Sequence, residues 1–237
     1  MQHNNVKFLA ITLFCMELTG LKAQNVKDID GNVYKTITIG TQVWMAENLK
    51  TTKYSNGDSI GTTTPATFDI TTGNTPKYQW VYDGNESNDE TYGRLYTWYV
   101  VTDNRNVCPA GWHVPADTEW TILTEYLTKN GYGYKGSESD ISKSMAATSG
   151  WMTNSILGNV GNDQRSNNSC GFTAFPGGYR YGSGLFNGSG SFSYWWTSTE
   201  AYPTTAWYRS LSDHCNDLYR DSSSKQNGIS IRCLRNK

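Results

Sequence analysis

Five cysteines constrain this 237-residue chain more than any other residue type. Cys15 lies in the apolar run Phe8–Met16 and is lost if that run is removed on export, which leaves Cys108, Cys170, Cys215 and Cys233. An even set in an exported chain favours disulfides, with three possible connectivities. None of the four shows the C-x2-C spacing of a zinc site or a redox pair, so no metal site is expected from them. Catalytic chemistry has no comparable pattern. His113 stands between Trp112 and Val114 before a helix start, with no Ser or Cys and partnering carboxylate to mark a triad. It reads as a half-buried, hydrogen-bonded imidazole. Glu119, Glu125 and Glu200 are present, but nothing in their spacing selects two of them for hydrolysis. Asp28-Ile-Asp30-Gly31 is too short for an EF-hand loop, whose ligands spread over about 12 positions. It reads as a tight turn. No catalytic residue and no cofactor is therefore expected.

These residues must be positioned by a sheet-rich scaffold. The hydrophobic share is low at 37% while aromatics reach 14%, which suits many short strands and turns around an aromatic core. The formal net charge of −1 offers no basic face to nucleic acid. At the N-terminus, the basic start to Lys7, the apolar run and Leu21-Lys-Ala23 read as a signal peptide over residues 1–23. The apolar run is too short to span a membrane. Residues 24–237 then form one domain, with a hairpin region at 24–55 and the main body from about 76 to 237.

Along that domain, Val33–Ile39 alternates as a strand after the Asp-Gly turn, and residues 56–74 read as an irregular loop. The aromatic stretch Tyr92–Val101 is too apolar to be solvated. A helix is predicted from Asp117, as its cap, to Leu127, with Trp120, Leu123 and Leu127 on one face and Asn130-Gly131 as the stop. A shorter helix follows Asp140, with Ile141 and Met145 one turn apart. Beyond Gly150 strands and loops alternate.

Six segments in order resemble the successive blocks of the Fibrobacter succinogenes major paralogous domain: Met45–Tyr54, Cys108–Pro115, Gly171–Arg180, Trp195–Glu200, Ala206–Arg209 and Gly228–Cys233. The resemblance implies a secreted or surface-exposed bacterial protein of no established molecular function. Trp112–Trp120 together with Gly228–Arg235 is also similar to the helix start and terminal strand of formylglycine-generating enzymes and C-type lectin-like domains. That likeness implies an α+β, C-type lectin-like fold with a small twisted antiparallel sheet, one or two helices and long loops; it carries no function by itself. It also implies a Cys108–Cys233 disulfide, and by elimination Cys170–Cys215. The sugar-reading triplets of the lectin group, such as Glu-Pro-Asn, are absent, and Asn216-Asp217 keeps only a fragment.

The segment from Tyr179 to Tyr208 is rich in Tyr, Trp, Ser, Gly and Asn, which is the composition of a binding surface. Alternation puts Trp195 and Trp196 on opposite faces, so at most one of them is exposed; Trp196 is the candidate. Leu185 and Phe186 sit amid Gly and Ser without a strand pattern, so Tyr181, Leu185, Phe186 and Asn187 are expected on an exposed, mobile loop as ligand contacts. The reading that follows is a non-catalytic, secreted or cell-surface binding or adhesion module whose partner is a glycan or a surface protein. A structural component of a cell-surface assembly is the alternative, and an enzyme of unknown reaction a third.

Overall fold

The computed structural model describes residues 25–137 and 139–237, so the signal-peptide reading of 1–23 lies outside the described residues. The chain opens with β1 (Val26–Lys27) and β2 (Val33–Tyr34), joined by the expected turn, in which Asp28 N–H donates to Asn32 O at 3.0 Å. Asp28 accepts from the Tyr34 hydroxyl and Asp30 from Thr52 N–H, each at 2.6 Å. The single strand expected over Val33–Ile39 is broken at Lys35, whose N–H turns aside to Glu47 Oε2. It becomes β2 and β3 (Thr36–Ile39), and β3 pairs with β4 (Gln42–Met45).

The aromatic stretch is buried as expected, in β6 (Arg94–Tyr96) and the one-turn α2 (Trp98–Val101). These follow β5 (Gln79–Val81) and α1 (Asp89–Tyr92). After β7 (Trp112–His113), helix α3 (Asp117–Lys129) buries Trp120, Leu123 and Leu127 on one face. The cap differs from the expectation. Asp117 is already helical, and its carboxylate holds Arg209 and Arg220 instead. The first turn is satisfied by Glu119, which accepts from Ala116 N–H at 2.8 Å, and by Thr199 Oγ1, which accepts from Asp117 N–H at 3.0 Å. A strand residue thus does the work that Ala116 has no side-chain acceptor to do. Helix α4 (Ser142–Met145) is the short helix predicted after Asp140.

The remaining strands are β8 (Gly177–Arg180), β9 (Phe186–Ser189), β10 (Phe192–Tyr202), β11 (Thr205–Ser212), β12 (Tyr219–Ser224), β13 (Ile229–Ser230) and β14 (Leu234–Arg235). They form a six-stranded sheet of order β12-β11-β10-β13-β6-β5 and a four-stranded sheet of order β3-β4-β14-β7, with the hairpins β1-β2 and β8-β9 beside them. The architecture is mixed α+β, dominated by sheet, with few short helices. The last strands are shared out: β13 lies between β10 and β6 in one sheet, β14 between β4 and β7 in the other.

One core cluster joins Trp44, Trp120, Phe172 and Trp195 between α3 and both sheets, with ring centroids 4.8 to 5.8 Å apart. Arg232 is fully buried there, its guanidinium 4.2 Å over the Phe172 ring. It donates to Asn48 Oδ1 at 2.7 Å and to the carbonyls of Ala46 and Phe172, while Trp195 Nε1 donates to the same Asn48 oxygen. Burial pulls the Arg232 pKa down; its N–H groups are matched by neutral acceptors, the condition for tolerating such a group inside a protein.

Cys108 and Cys233 are bonded, with Cα atoms 6.0 Å apart. The second expected bridge is not formed: Cys170 and Cys215 are free thiols. Cys215 lies in the turn between β11 and β12, and its carbonyl accepts from Ser142 Oγ and Val160 N–H. Cys170 is buried in the cluster with Trp195, whereas Cys215 is half-exposed beside Tyr194 and Tyr208. Among the described residues no helix is long and apolar enough to cross a membrane.

Candidate functional site

The expected contact residues separate when the fold is drawn. Trp196 is fully buried, and its Nε1 donates to Tyr96 O at 2.7 Å, so it cannot meet a ligand. Both faces of β10 are covered at this point, which is why neither Trp195 nor Trp196 is exposed. The segment 181–187 is an ordered hairpin rather than a patternless loop: Tyr179 pairs with Asn187 and Arg180 with Phe186. Its turn is pressed onto the loop over 62–74. Gly184, at φ 100°, passes so close to Thr67 O that a Cβ would stand 1.9 Å from it, and Arg180 donates to Ala66 O and Phe68 O. Tyr181 and Asn187 are exposed and Leu185 is 67% exposed, but Phe186 is half-buried, edge-on to Tyr82 at 5.4 Å.

A groove of about 210 Å³ lies instead on the open half of the six-stranded sheet. Strand register builds it. Tyr194 on β10 stands opposite Ser210 on β11, and Ser210 opposite Tyr219 on β12. In the next row Phe192 stands opposite Ser212. Large rings on the outer strands and serines on the middle strand leave a trough, which Tyr208 closes at one end, 5.4 Å from Tyr194. The ring contacts continue from Tyr194 to Tyr179 at 4.9 Å and on to Tyr181 at 4.7 Å. Tyr181 is thus the one member of the expected contact set joined to this surface through ring contacts.

The floor and walls keep unused hydrogen-bonding groups. Ser210 is only 6% exposed, yet its hydroxyl bonds nothing among the described residues and opens into the groove. The Tyr194 and Tyr208 hydroxyls are equally without a partner there. Burial, then Asp221 and Tyr219, pushes the Tyr208 pKa up to about 12, and burial raises that of Tyr194. Both phenols therefore keep their protons and remain donors.

Ser212, Asp213 and His214 stand together but do not form a relay. Ser212 Oγ at 2.8 Å and Asp213 Oδ1 at 3.1 Å both approach Nδ1, and Ser212 reaches Nε2 only at 3.4 Å, whereas a triad needs its short contacts on different nitrogens. Burial raises the pKa of the Cys215 thiol, with Asp217 adding to it, which favours thiol over thiolate. Glu119 and Glu125 on α3 bond His113 and Lys129, and Glu200 on β10 bonds Lys225, so each of the three is held by its own partner. His113 is the hydrogen-bonded imidazole anticipated, with Nδ1 at 2.7 Å from Asn236 and Nε2 at 2.9 Å from Glu119. A larger cleft of about 300 Å³ lies beside Lys35, Asn48, Glu90 and Arg232, but the guanidinium at its base is already engaged by the core.

Phe192, Tyr194 and Tyr208 fall within the segment from Tyr179 to Tyr208 expected as a binding surface but are not among the expected contacts, and Ser210 and Tyr219 lie beyond it. The signal was present: aromatic residues two apart on one strand, and serines two apart on the next, mark one face of neighbouring strands.

Residues 37–235 match the family model of the Fibrobacter succinogenes major domain, and the chain belongs to that family. No curated protein and no solved structure matches it. The blocks that carry the family likeness lead largely to the core. Asn48, Phe172, Trp195 and Arg232 come from four of them and meet in one network. Cys108 and Cys233 come from two and are bonded. Of the groove residues, only Tyr208 falls within a block.

Proposed function

We propose that this protein is a non-catalytic, lectin-like binding module acting outside the cell or at its surface, and that its groove holds a glycan. The observation that carries this reading is the trough itself: aromatic walls around a buried serine hydroxyl and two phenol donors that have no partner among the described residues. Flat rings pack against the C–H faces of a sugar, and free hydroxyls replace the water that a sugar's own hydroxyls give up. Export is supported by the leader-like segment and by a disulfide that needs an oxidising compartment. A glycan array and co-sedimentation with insoluble polysaccharides test the reading. Binding is expected for the wild type and lost in Tyr219→Ala, whose ring is 54% exposed, and in Ser210→Val, which fills the floor, while circular dichroism and melting temperature stay close to wild type. Retention of glycan by both variants, or capture of a single protein with no glycan bound, would replace this reading with that of a structural component.

A further inference from the structure

We infer, resting on the glycan reading, that the groove selects a saccharide carrying a protonated amine and turns away acidic sugars. Strand alternation sorts the charges around it. Arg209 and Arg220 point to the other face of the sheet, where both hold the Asp117 carboxylate and Arg220 stacks 3.5 Å over Trp207. Among the described residues no Lys or Arg lines the groove. On the groove side Asp217 forms part of the wall, and Asp221 stands opposite Tyr208 in register. Neither carboxylate has an ion-pair partner among the described residues; Asp221 accepts only the N–H of Ser222, at 2.7 Å. His214, edge-on to Phe192, is already faced by Asp213.

Two uncompensated carboxylates beside a ring-walled trough attract a cation, and the ring faces attract it further. The Ser210 oxygen supplies an acceptor at the floor for an ammonium N–H. A uronate in the same place would meet like charge with no Lys or Arg to answer it.

The test is calorimetric titration of the full protein with three oligosaccharides of equal length: glucosamine, N-acetylglucosamine and galacturonate oligomers. The glucosamine oligomer is expected to bind about tenfold more tightly than its acetylated twin at low salt, and the galacturonate not at all. Asp217→Asn and Asp221→Asn should each shrink the amine's advantage and leave the acetylated oligomer's affinity unchanged. Glu90→Gln, at the cleft beside Arg232, should do neither. Equal affinities for the amine and its acetylated twin, binding of the galacturonate, or an equal loss in Glu90→Gln would overturn the charge selection while leaving glycan binding intact. If none of the three oligomers binds, this inference falls, and the glycan array decides whether the glycan reading falls with it.

Discussion

Trp196 and Tyr194 project from the same face of the same strand, two residues apart, yet one is sealed in the core and the other walls an open groove. The difference lies in what covers the face. Over Trp196 lie Tyr96, Trp98, Ile229 and Ile231, with the disulfide of Cys108 and Cys233 in the same cluster. Tyr194 is half-buried at the margin of that cluster, with Tyr179 of the β8-β9 hairpin, Tyr208 and Phe192 against its ring and the groove beside it. An aromatic residue on a strand becomes core or binding surface according to its neighbour in space, which its own segment does not encode.

The comparison is tested most severely at the sealed end. Reduction of the Cys108–Cys233 bond, which closes a loop with a sequence separation of 125, should cost about 4 to 5 kcal/mol by chain entropy. Denaturant unfolding with and without reductant measures it, and a midpoint that does not move would show that this end closes without its bridge. Trp196→Ala should cost about 3 to 5 kcal/mol, whereas Tyr194→Phe, which removes a hydroxyl with no partner, should stay within about 0.5 kcal/mol. Comparable losses in the two variants would erase the distinction between the ends.

A smaller effect is expected at His113, which ties Asn236 to the start of α3. Its bond to Glu119 raises the imidazole pKa against the opposing effect of burial. For Glu119, burial works upward, but the bonds from His113 and Ala116 N–H prevail and lower its pKa. The raised imidazole contributes stability in full below its unfolded pKa and loses it as pH rises through the folded value. The lowered carboxylate contributes in full above its unfolded pKa and loses it as pH falls. The advantage of wild type over His113→Gln should therefore peak at about pH 5 to 6 and shrink on either side, reaching no more than about 1 kcal/mol for so exposed a pair. A pH-independent difference in melting would assign His113 a packing role only. Least of all, Leu185→Ser should change stability by less than about 0.5 kcal/mol. Phe186→Ser, which gives up the contact with Tyr82, should cost about 1 kcal/mol. Equal effects would return the two residues to the shared exposed loop that their glycines suggest.

Local signals in the chain were sound where the cause is local. The apolar face of α3, the turn at Asp28 and the burial of residues 92–101 follow from periodicity and turn chemistry alone. The cap of α3 differs from the local expectation because the acceptor for Asp117 N–H, Thr199, lies on a distant strand. The Cys170–Cys215 pairing rests on elimination, which is blind to surroundings: Cys170 is packed in the core cluster, whereas Cys215 faces the groove. A run of glycines and serines suggests exposed contacts because flexibility resembles exposure in a sequence. The groove depends instead on register, which places Ser210 between Tyr194 and Tyr219 and cannot be read from any one of the three segments.

The placement of β13 and β14 sets the timing of folding. Until Ile229 to Arg235 have been synthesised, β10 and β6 lack the strand that joins them, and so do β4 and β7. Neither sheet can close early, and both wait for the same short segment. Contacts so distant in sequence slow folding and leave strand edges open meanwhile. Cys108 waits as well: until Cys233 arrives, an oxidant acting too soon would find Cys170 and Cys215 to offer it instead.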